Sequence, residues 1–263
     1  MNSVQLSMLD ILKRLHDEHD IIGVKAEFEA EGSRINELVQ LNEIVCRAQT
    51  HLFIKIGGCE AVTDLDSCRM LGVKGVIAPM IESSFAMKKF FGAAQKAYND
   101  ELINLECLIN IETVTAHSNL DAILQAGKGF LKGISIGRVD LSASMGLTRA
   151  DINSDAVFSA VKDIAERAKA EGMLVNFGGG ISFDAVPFIQ KLYPLNDRFE
   201  TRKIIFRGGN DETKLKAGIL LAMEFETLYL ENKCAYYDRM AGEDRQRLIM
   251  LRERLKKAKE QLS

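Results

Sequence analysis

LINIETVTAHSNL (residues 108–120) and GISIGRVDLSASMGL (residues 133–147) are the two stretches whose reading decides the fold. Each starts as a run of β-prone apolar residues and reaches a carboxylate, Glu112 in the first and Asp140 in the second. Each then passes through a polar turn into helix-compatible sequence. Two acidic groups at two strand ends suggest a divalent-metal site, because Mg²⁺ and Mn²⁺ prefer oxygen ligands and keep positions open for water or substrate. A single strand-end carboxylate is more often a helix cap or a surface ion pair, so the pairing carries the argument.

The same unit repeats outward from this centre. IIGVKAEFE (residues 21–29) alternates, with Val24, Ala26 and Phe28 on one face and Lys25, Glu27 and Glu29 on the other. HLFIKIGG (51–58), GVKGVIAPMI (72–81), MLVNFGGG (173–180) and KIIFRGGN (203–210) read as further strands. Helical patterns separate them, such as Ile35, Leu38, Leu41, Ile44 and Val45 with Ser33 as a candidate N-cap, and an amphipathic helix over residues 7–17 opens the chain. This alternation predicts a parallel sheet with right-handed crossovers: a TIM-like (β/α)8 barrel, of which seven strands are evident. The 263 residues fit the roughly 250 of a single barrel domain spanning residues 1–263. From residue 211 onward the pattern is helical, in two segments divided at Gly242. In the second, Leu248, Leu251, Leu255, Ala258 and Leu262 follow a 3-4 spacing. This segment reads either as an arm gripping a neighbouring subunit or as a helix packed on its own barrel.

The formal charge of −3 comes from interspersed charges of both signs, which argues against a nucleic-acid face or a polybasic membrane surface. Five cysteines without CxxC spacing read as free thiols in a reducing compartment. No run of about 18 apolar residues occurs. The expectation is a soluble cytoplasmic protein handling small molecules.

Three motifs carry a resemblance to a known family. They are GVKGVIAPMIES with its strand-end Pro79-Met80, Ile111-Glu112-Thr113 followed by Ala116 and Asn119, and Ile136-Gly137 followed by Asp140-Leu141-Ser142 and Gly146. In this order and spacing the chain resembles the HpcH/HpaI aldolase/citrate lyase family of the phosphoenolpyruvate/pyruvate barrel superfamily, from about residue 22 to about residue 209. The resemblance implies a metal-dependent aldolase or lyase with Glu112 and Asp140 as ligands to Mg²⁺ or Mn²⁺. It would make or break a carbon–carbon bond between a 2-oxo acid such as pyruvate and an aldehyde, in a homo-oligomer. A lyase for citryl, malyl or citramalyl thioesters is the alternative within the superfamily, and a non-catalytic barrel serving as a binding or scaffold protein is the alternative outside it.

The chain departs from this family at several positions. Lys55 stands where relatives carry an arginine; it reads as a substrate-binding point charge, as a Schiff-base lysine, or as half of a buried ion pair with Glu27 or Glu29. The histidine that handles the aldol proton in relatives is missing from AEFEAEG, and Glu27 and Glu29 are the candidates to replace it if burial raises their pKa. Arg138 is a candidate to orient a substrate carboxylate or phosphate, or else to neutralise an acid such as Asp140. Arg207, at the end of the last strand, is a weaker substrate-binding candidate. Gly57-Gly58, Gly178 to Gly180 and Gly208-Gly209 follow strands, where their amides can cradle an anion or simply turn the chain. His16, His19, His51 and His117 are expected to lie away from the site.

Overall fold

The computed structural model describes residues 1–262. Its centre is a closed barrel of β1 (Ile21–Glu27), β2 (Leu52–Lys55), β3 (Gly75–Ala78), β4 (Glu106–Ile111), β5 (Gly133–Gly137), β6 (Leu174–Gly178), β7 (Arg198–Glu200) and β8 (Ile204–Arg207), hydrogen-bonded in that order. Around it lie α1 (Ser3–His19), α2 (Ile35–Arg47), α3 (Val62–Leu71), α4 (Ser84–Tyr98), α5 (Val114–Ser118), α6 (Leu120–Gly127), α7 (Arg138–Ser144), α8 (Asp155–Ala170), α9 (Val186–Leu192) and α10 (Glu212–Leu262). The N-cap position of α2 is Arg34, so Ser33 stands one residue outside the helix it was expected to cap.

The eighth strand is the three-residue β7, too short to leave a periodic signal in the sequence. It also corrects the expectation of an all-parallel sheet, because β8 runs antiparallel to both β7 and β1. Only Thr201, Arg202 and Lys203 separate β7 from β8, whereas a parallel return needs a crossover of roughly a dozen residues. The turn is closed locally: the Thr201 N–H donates to the Ile204 carbonyl at 2.9 Å, and the Ile204 N–H donates to Thr201 Oγ1 at 3.1 Å.

Reversal of β8 sends the chain to the opposite end of the barrel before α10 begins. There the Arg207 N–H donates to the Asp20 carbonyl at 3.1 Å, and Lys214 Nζ reaches Asp20 Oδ2 at 2.5 Å. Helix α10 then climbs antiparallel to α1, with Asn232 Oδ1 accepting from Asn2 Nδ2 at 2.8 Å near the top of that pair. Glu226 lies about 21 Å up the helix from Glu212 at 1.5 Å per residue, which brings it and Met223 to the barrel mouth. The helix is unbroken at Gly242, and beyond Tyr237 its side chains are almost all exposed, Leu248, Leu251 and Leu255 among them. The terminal segment therefore does not pack on its own barrel; the Leu262 side chain and Ser263 lie outside the described residues.

The strand alternation read from residues 21–29 is inverted relative to an ordinary half-buried strand. Val24 and Ala26 are fully buried in the apolar layer under the helices, while Lys25 and Glu27 face the barrel interior. Lower in the interior the buried Phe53 ring fills the space left by glycines, since a Cβ at Gly75 would lie 2.7 Å from that ring and one at Gly23 would lie 3.1 Å from it. Arg198 lies over the same ring at 5.7 Å and bonds Glu106 at 2.9 Å. Phe53→Ala is expected to cost about 3–5 kcal/mol in denaturant unfolding, because these neighbours cannot collapse into the void.

Glu37 anchors α2 to α10 through the Tyr237 hydroxyl and through Lys233 Nζ at 2.9 Å. Burial pushes its carboxyl pKa up, but the Tyr237 and Lys233 contacts outweigh that and hold it below the usual carboxylate range. A lowered folded-state pKa means stability that is present above the unfolded value and is lost as pH falls through the folded one. Glu37→Gln should therefore lower unfolding free energy by about 1–2 kcal/mol at neutral pH, with the difference from wild type vanishing well below about pH 4.

Candidate active site

The mouth at the C-terminal ends of β1 to β7 opens into a cavity of about 600 Å³. Glu112, one residue beyond β4, is 1 % exposed at its wall. Its Oε1 accepts from the Met80 N–H at 3.0 Å and its Oε2 accepts from Asn110 Nδ2 at 2.7 Å, with Lys55 Nζ 3.5 Å away. Met80, in the left-handed region at φ 51°, follows Pro79, the first residue after β3. On the other side a Cβ at Gly137 would come within 2.7 Å of Glu112 Oε2. Burial raises the Glu112 pKa, with Asp140 adding to the effect against Lys55, Met80 and Asn110.

Asp140 is not on a strand. β5 stops at Gly137, and Asp140 sits exposed in the first turn of α7, lining the same cavity and close enough to Glu112 to act on its charge. The two carboxylates singled out in the sequence thus share one mouth. Lys55 lies between them and β1: its Nζ is 2.8 Å from Glu29 Oε2 as well as 3.5 Å from Glu112. Burial would depress the Lys55 pKa, but Glu112, Glu29 and Glu27 together hold it above the usual lysine value. That is an ammonium at neutral pH, the opposite of what a Schiff-base lysine requires.

Three sequence expectations are corrected here. Glu27 faces the cavity, but although burial pushes its pKa up, Lys25, Arg202 and Lys55 outweigh it and the carboxyl lies below its ordinary range, so it is a poor proton acceptor. Arg138 has no exposed surface and does not line the cavity; its guanidinium is behind the barrel wall against Phe177 and Phe188, and it forms no ion pair with Asp140. Burial pushes the Arg138 pKa down to about 10. Arg207 points into a separate cleft at the far end of the barrel with Asp20 and Lys214, because its strand runs backwards. None of the four histidines lines the mouth cavity; His117 instead pairs with Asp163 at 2.7 Å.

The mouth also holds residues that no sequence motif singles out. Lys25 bonds Glu200 and lies 3.2 Å from Glu27. Burial would lower the Lys25 pKa, but these two acids raise it instead. Asn176 donates to Glu200 at 2.6 Å and to Ser135 at 2.9 Å, completing a polar floor across β5, β6, β7 and β1. Arg202, from the β7–β8 turn, reaches Glu31 at 3.1 Å and Glu27 at 3.6 Å. Glu226, delivered by α10, has no hydrogen bond or ion pair among the described residues, and burial raises its pKa. The signal available for Lys25 was the charged face of the β1 stretch; for Glu226 and Glu200 the sequence carried none.

Six carboxylates and four basic side chains face the cavity, an excess of negative charge that suits a divalent cation. Among the described residues no group of three or more His, Cys, Asp or Glu side chains is arranged around a common ion position. Glu112 and Asp140 both present carboxylate oxygens to this cavity, the donor type that hard divalent cations prefer.

The model of the HpcH/HpaI aldolase/citrate lyase family matches residues 26–178, more than half of the chain. The chain belongs to that family, a family of barrel proteins of lyase type. Similar solved structures include an HpcH/HpaI aldolase from Desulfitobacterium hafniense DCB-2, at 12 % identity and TM-score 0.61 over 76 % of this chain and 83 % of that one. The citrate synthase SbnG aligns at 17 % identity and TM-score 0.58 over 87 % and 90 %. An HpcH/HpaI aldolase/citrate lyase family protein from Burkholderia cenocepacia J2315 aligns at 13 % and 0.57 over 82 % and 99 %. Likeness at these identities establishes the fold. A search of curated proteins finds no match. Among the described residues no helix is long and apolar enough to cross a membrane.

Gly137→Ala is expected to displace the Glu112 carboxylate while leaving the barrel folded, at a cost of about 1–3 kcal/mol in denaturant melts. A crystal structure of that variant with Glu112 unmoved would show that the glycine is not what makes room for it.

Proposed function

We propose that the protein is a divalent-metal-dependent carbon–carbon lyase or aldolase acting on a 2-oxo acid. The observation that carries this reading is the convergence of Glu112 and Asp140 on one cavity in a chain of the HpcH/HpaI family. Glu112 and Asp140 would hold Mg²⁺ or Mn²⁺, which when bound supplies Lewis-acid stabilisation of an enolate as the bond breaks or forms. Lys55, kept protonated by Glu29 and Glu112, faces the cavity as a point charge for a substrate carboxylate. Glu226 is the carboxyl suited to move the proton of the aldol hydroxyl, since it faces the cavity with no hydrogen bond or ion pair among the described residues and burial raises its pKa. Glu29 stays paired with Lys55 and positions that ammonium. The projecting end of α10, with Leu248, Leu251 and Leu255 exposed, is read as an arm for homo-oligomer assembly, testable by the solution mass of a chain lacking residues 243–263.

Exchange of the pyruvate methyl protons in deuterated buffer, followed by NMR with Mg²⁺ or Mn²⁺, tests the central claim. Wild type should exchange, and Glu112→Ala or Asp140→Ala should slow exchange by about a hundredfold or more. If neither metal supports exchange and Glu112→Ala leaves metal affinity unchanged, the barrel is a non-catalytic binding protein. Glu226→Gln should leave exchange intact while slowing cleavage of a 4-hydroxy-2-oxo acid about 10²- to 10⁴-fold. Borohydride treatment in the presence of pyruvate should leave Lys55 unmodified; an adduct there would replace the metal mechanism by a Schiff-base one.

A further inference from the structure

Arg138 heads the largest fully buried side chains, yet no carboxylate pairs with it among the described residues. Its charge is met by neutral groups instead. Nε donates to the Gly178 carbonyl oxygen at 3.2 Å, Nη2 to the Gly179 carbonyl oxygen at 2.7 Å and Nη1 to Asn153 Oδ1 at 2.8 Å. The guanidinium carbon lies 4.5 Å from the Phe188 ring centre and 5.4 Å from that of Phe177. A buried guanidinium is costly to desolvate, so the backbone it grips is held firmly or the arrangement fails.

The grip has a geometric consequence for the mouth. Among the described residues the only cis peptide is Tyr193–Pro194, so the Gly178–Gly179 and Gly179–Gly180 peptides are trans, with each N–H pointing opposite to its carbonyl. Carbonyls turned towards Arg138 therefore send the N–H groups of Gly179 and Gly180 away from it. Both glycines line the mouth cavity, and neither N–H has an acceptor among the described residues. Their φ values of +84° and +64° are in the left-handed region, and a Cβ would lie 2.8 Å from the Val139 nitrogen in the first case and 2.4 Å from Ile152 Cδ1 in the second. Only glycine leaves this backbone unstrained and close to α7. Arg149 and Arg202 line the same cavity, so two unpaired donors sit in a mouth that also offers cationic side chains.

We propose that Arg138 is a positioning residue that pins the Gly178–Gly180 backbone, so that the Gly179 and Gly180 amides form a two-donor cradle for a carboxylate oxygen of the ligand. This rests on the 2-oxo acid reading above. The carboxylate is either the one beside the keto group or one at the far end of a longer substrate, and the chemistry of the cradle is the same for both.

Amide NMR of the full chain with Mg²⁺, titrated with pyruvate and separately with 2-oxoglutarate, tests the cradle. The Met80 N–H, which bonds Glu112, reports ligand arrival at the metal side, and the Gly179 and Gly180 N–H groups report the cradle. Large downfield shifts of both glycine amides with pyruvate assign the near carboxylate; shifts with 2-oxoglutarate alone assign the far one. In Arg138→Gln the glycine response should be lost and the ligand dissociation constant should rise about tenfold, with Arg138→Lys recovering part of it. Met80 should respond in every variant. If Met80 responds and the glycines do not, the cradle is overturned and the 2-oxo acid reading stands; if no mouth amide responds to either acid, both fall. The wild-type titration decides these outcomes even if Arg138→Gln does not fold.

Discussion

Three residues between β7 and β8 are too few for the chain to cross over, and much of the mouth depends on that limit. A hairpin is the only connection this length allows, so the last strand closes the barrel in the reverse direction. The turn then stands at the mouth and delivers Thr201 and Arg202, while Arg207 is carried to the opposite end. Helix α10 starts from that far end and rises along α1, which is why a residue as late as Glu226 reaches the cavity. In an all-parallel barrel the last helix would descend from the mouth, and Glu226 would be far from it.

The second organising feature is the way charge is buried at the mouth. Lys25, Lys55, Glu27, Glu112 and Glu200 are each less than a tenth exposed, and each is paired or hydrogen-bonded. Such groups hold one another's ionisation state: lysines surrounded by acids stay cationic, and Glu27 surrounded by cations stays anionic. Among the described residues, Asp140 and Glu226 are the mouth carboxylates with no hydrogen bond or ion pair. Arg138 is the exception to pairing, and its three neutral acceptors tie it to the backbone of the wall rather than to an acid.

Much of the barrel was legible in the chain because strand and helix periods differ and each βα unit repeats both. The approach of Glu112 and Lys55 to the mouth was legible for the same reason: each stands at the carboxyl end of a parallel strand, and such ends converge. The same logic failed for Arg207, where the strand direction differed, and for Arg138, where β5 had already ended and the first turn of α7 swung the side chain behind the wall. β7 leaves no pattern in the sequence because three residues cannot display a period of two. Lys25 was visible as part of a charged strand face, but whether that face met solvent or the barrel interior depended on closure.

The sequence by itself determined the alternating elements, the family and the two carboxylates, since these follow from local periodicity and from motifs a few residues long. Only the tertiary structure decided the direction of the last strand, the ionisation of Glu27 and Lys55, the retreat of Arg138 from the cavity and the arrival of Glu226 within it. Those properties depend on which groups lie within a few ångströms after closure. Residues as far apart in the chain as Lys25 and Glu200 meet only when the eighth strand completes the ring.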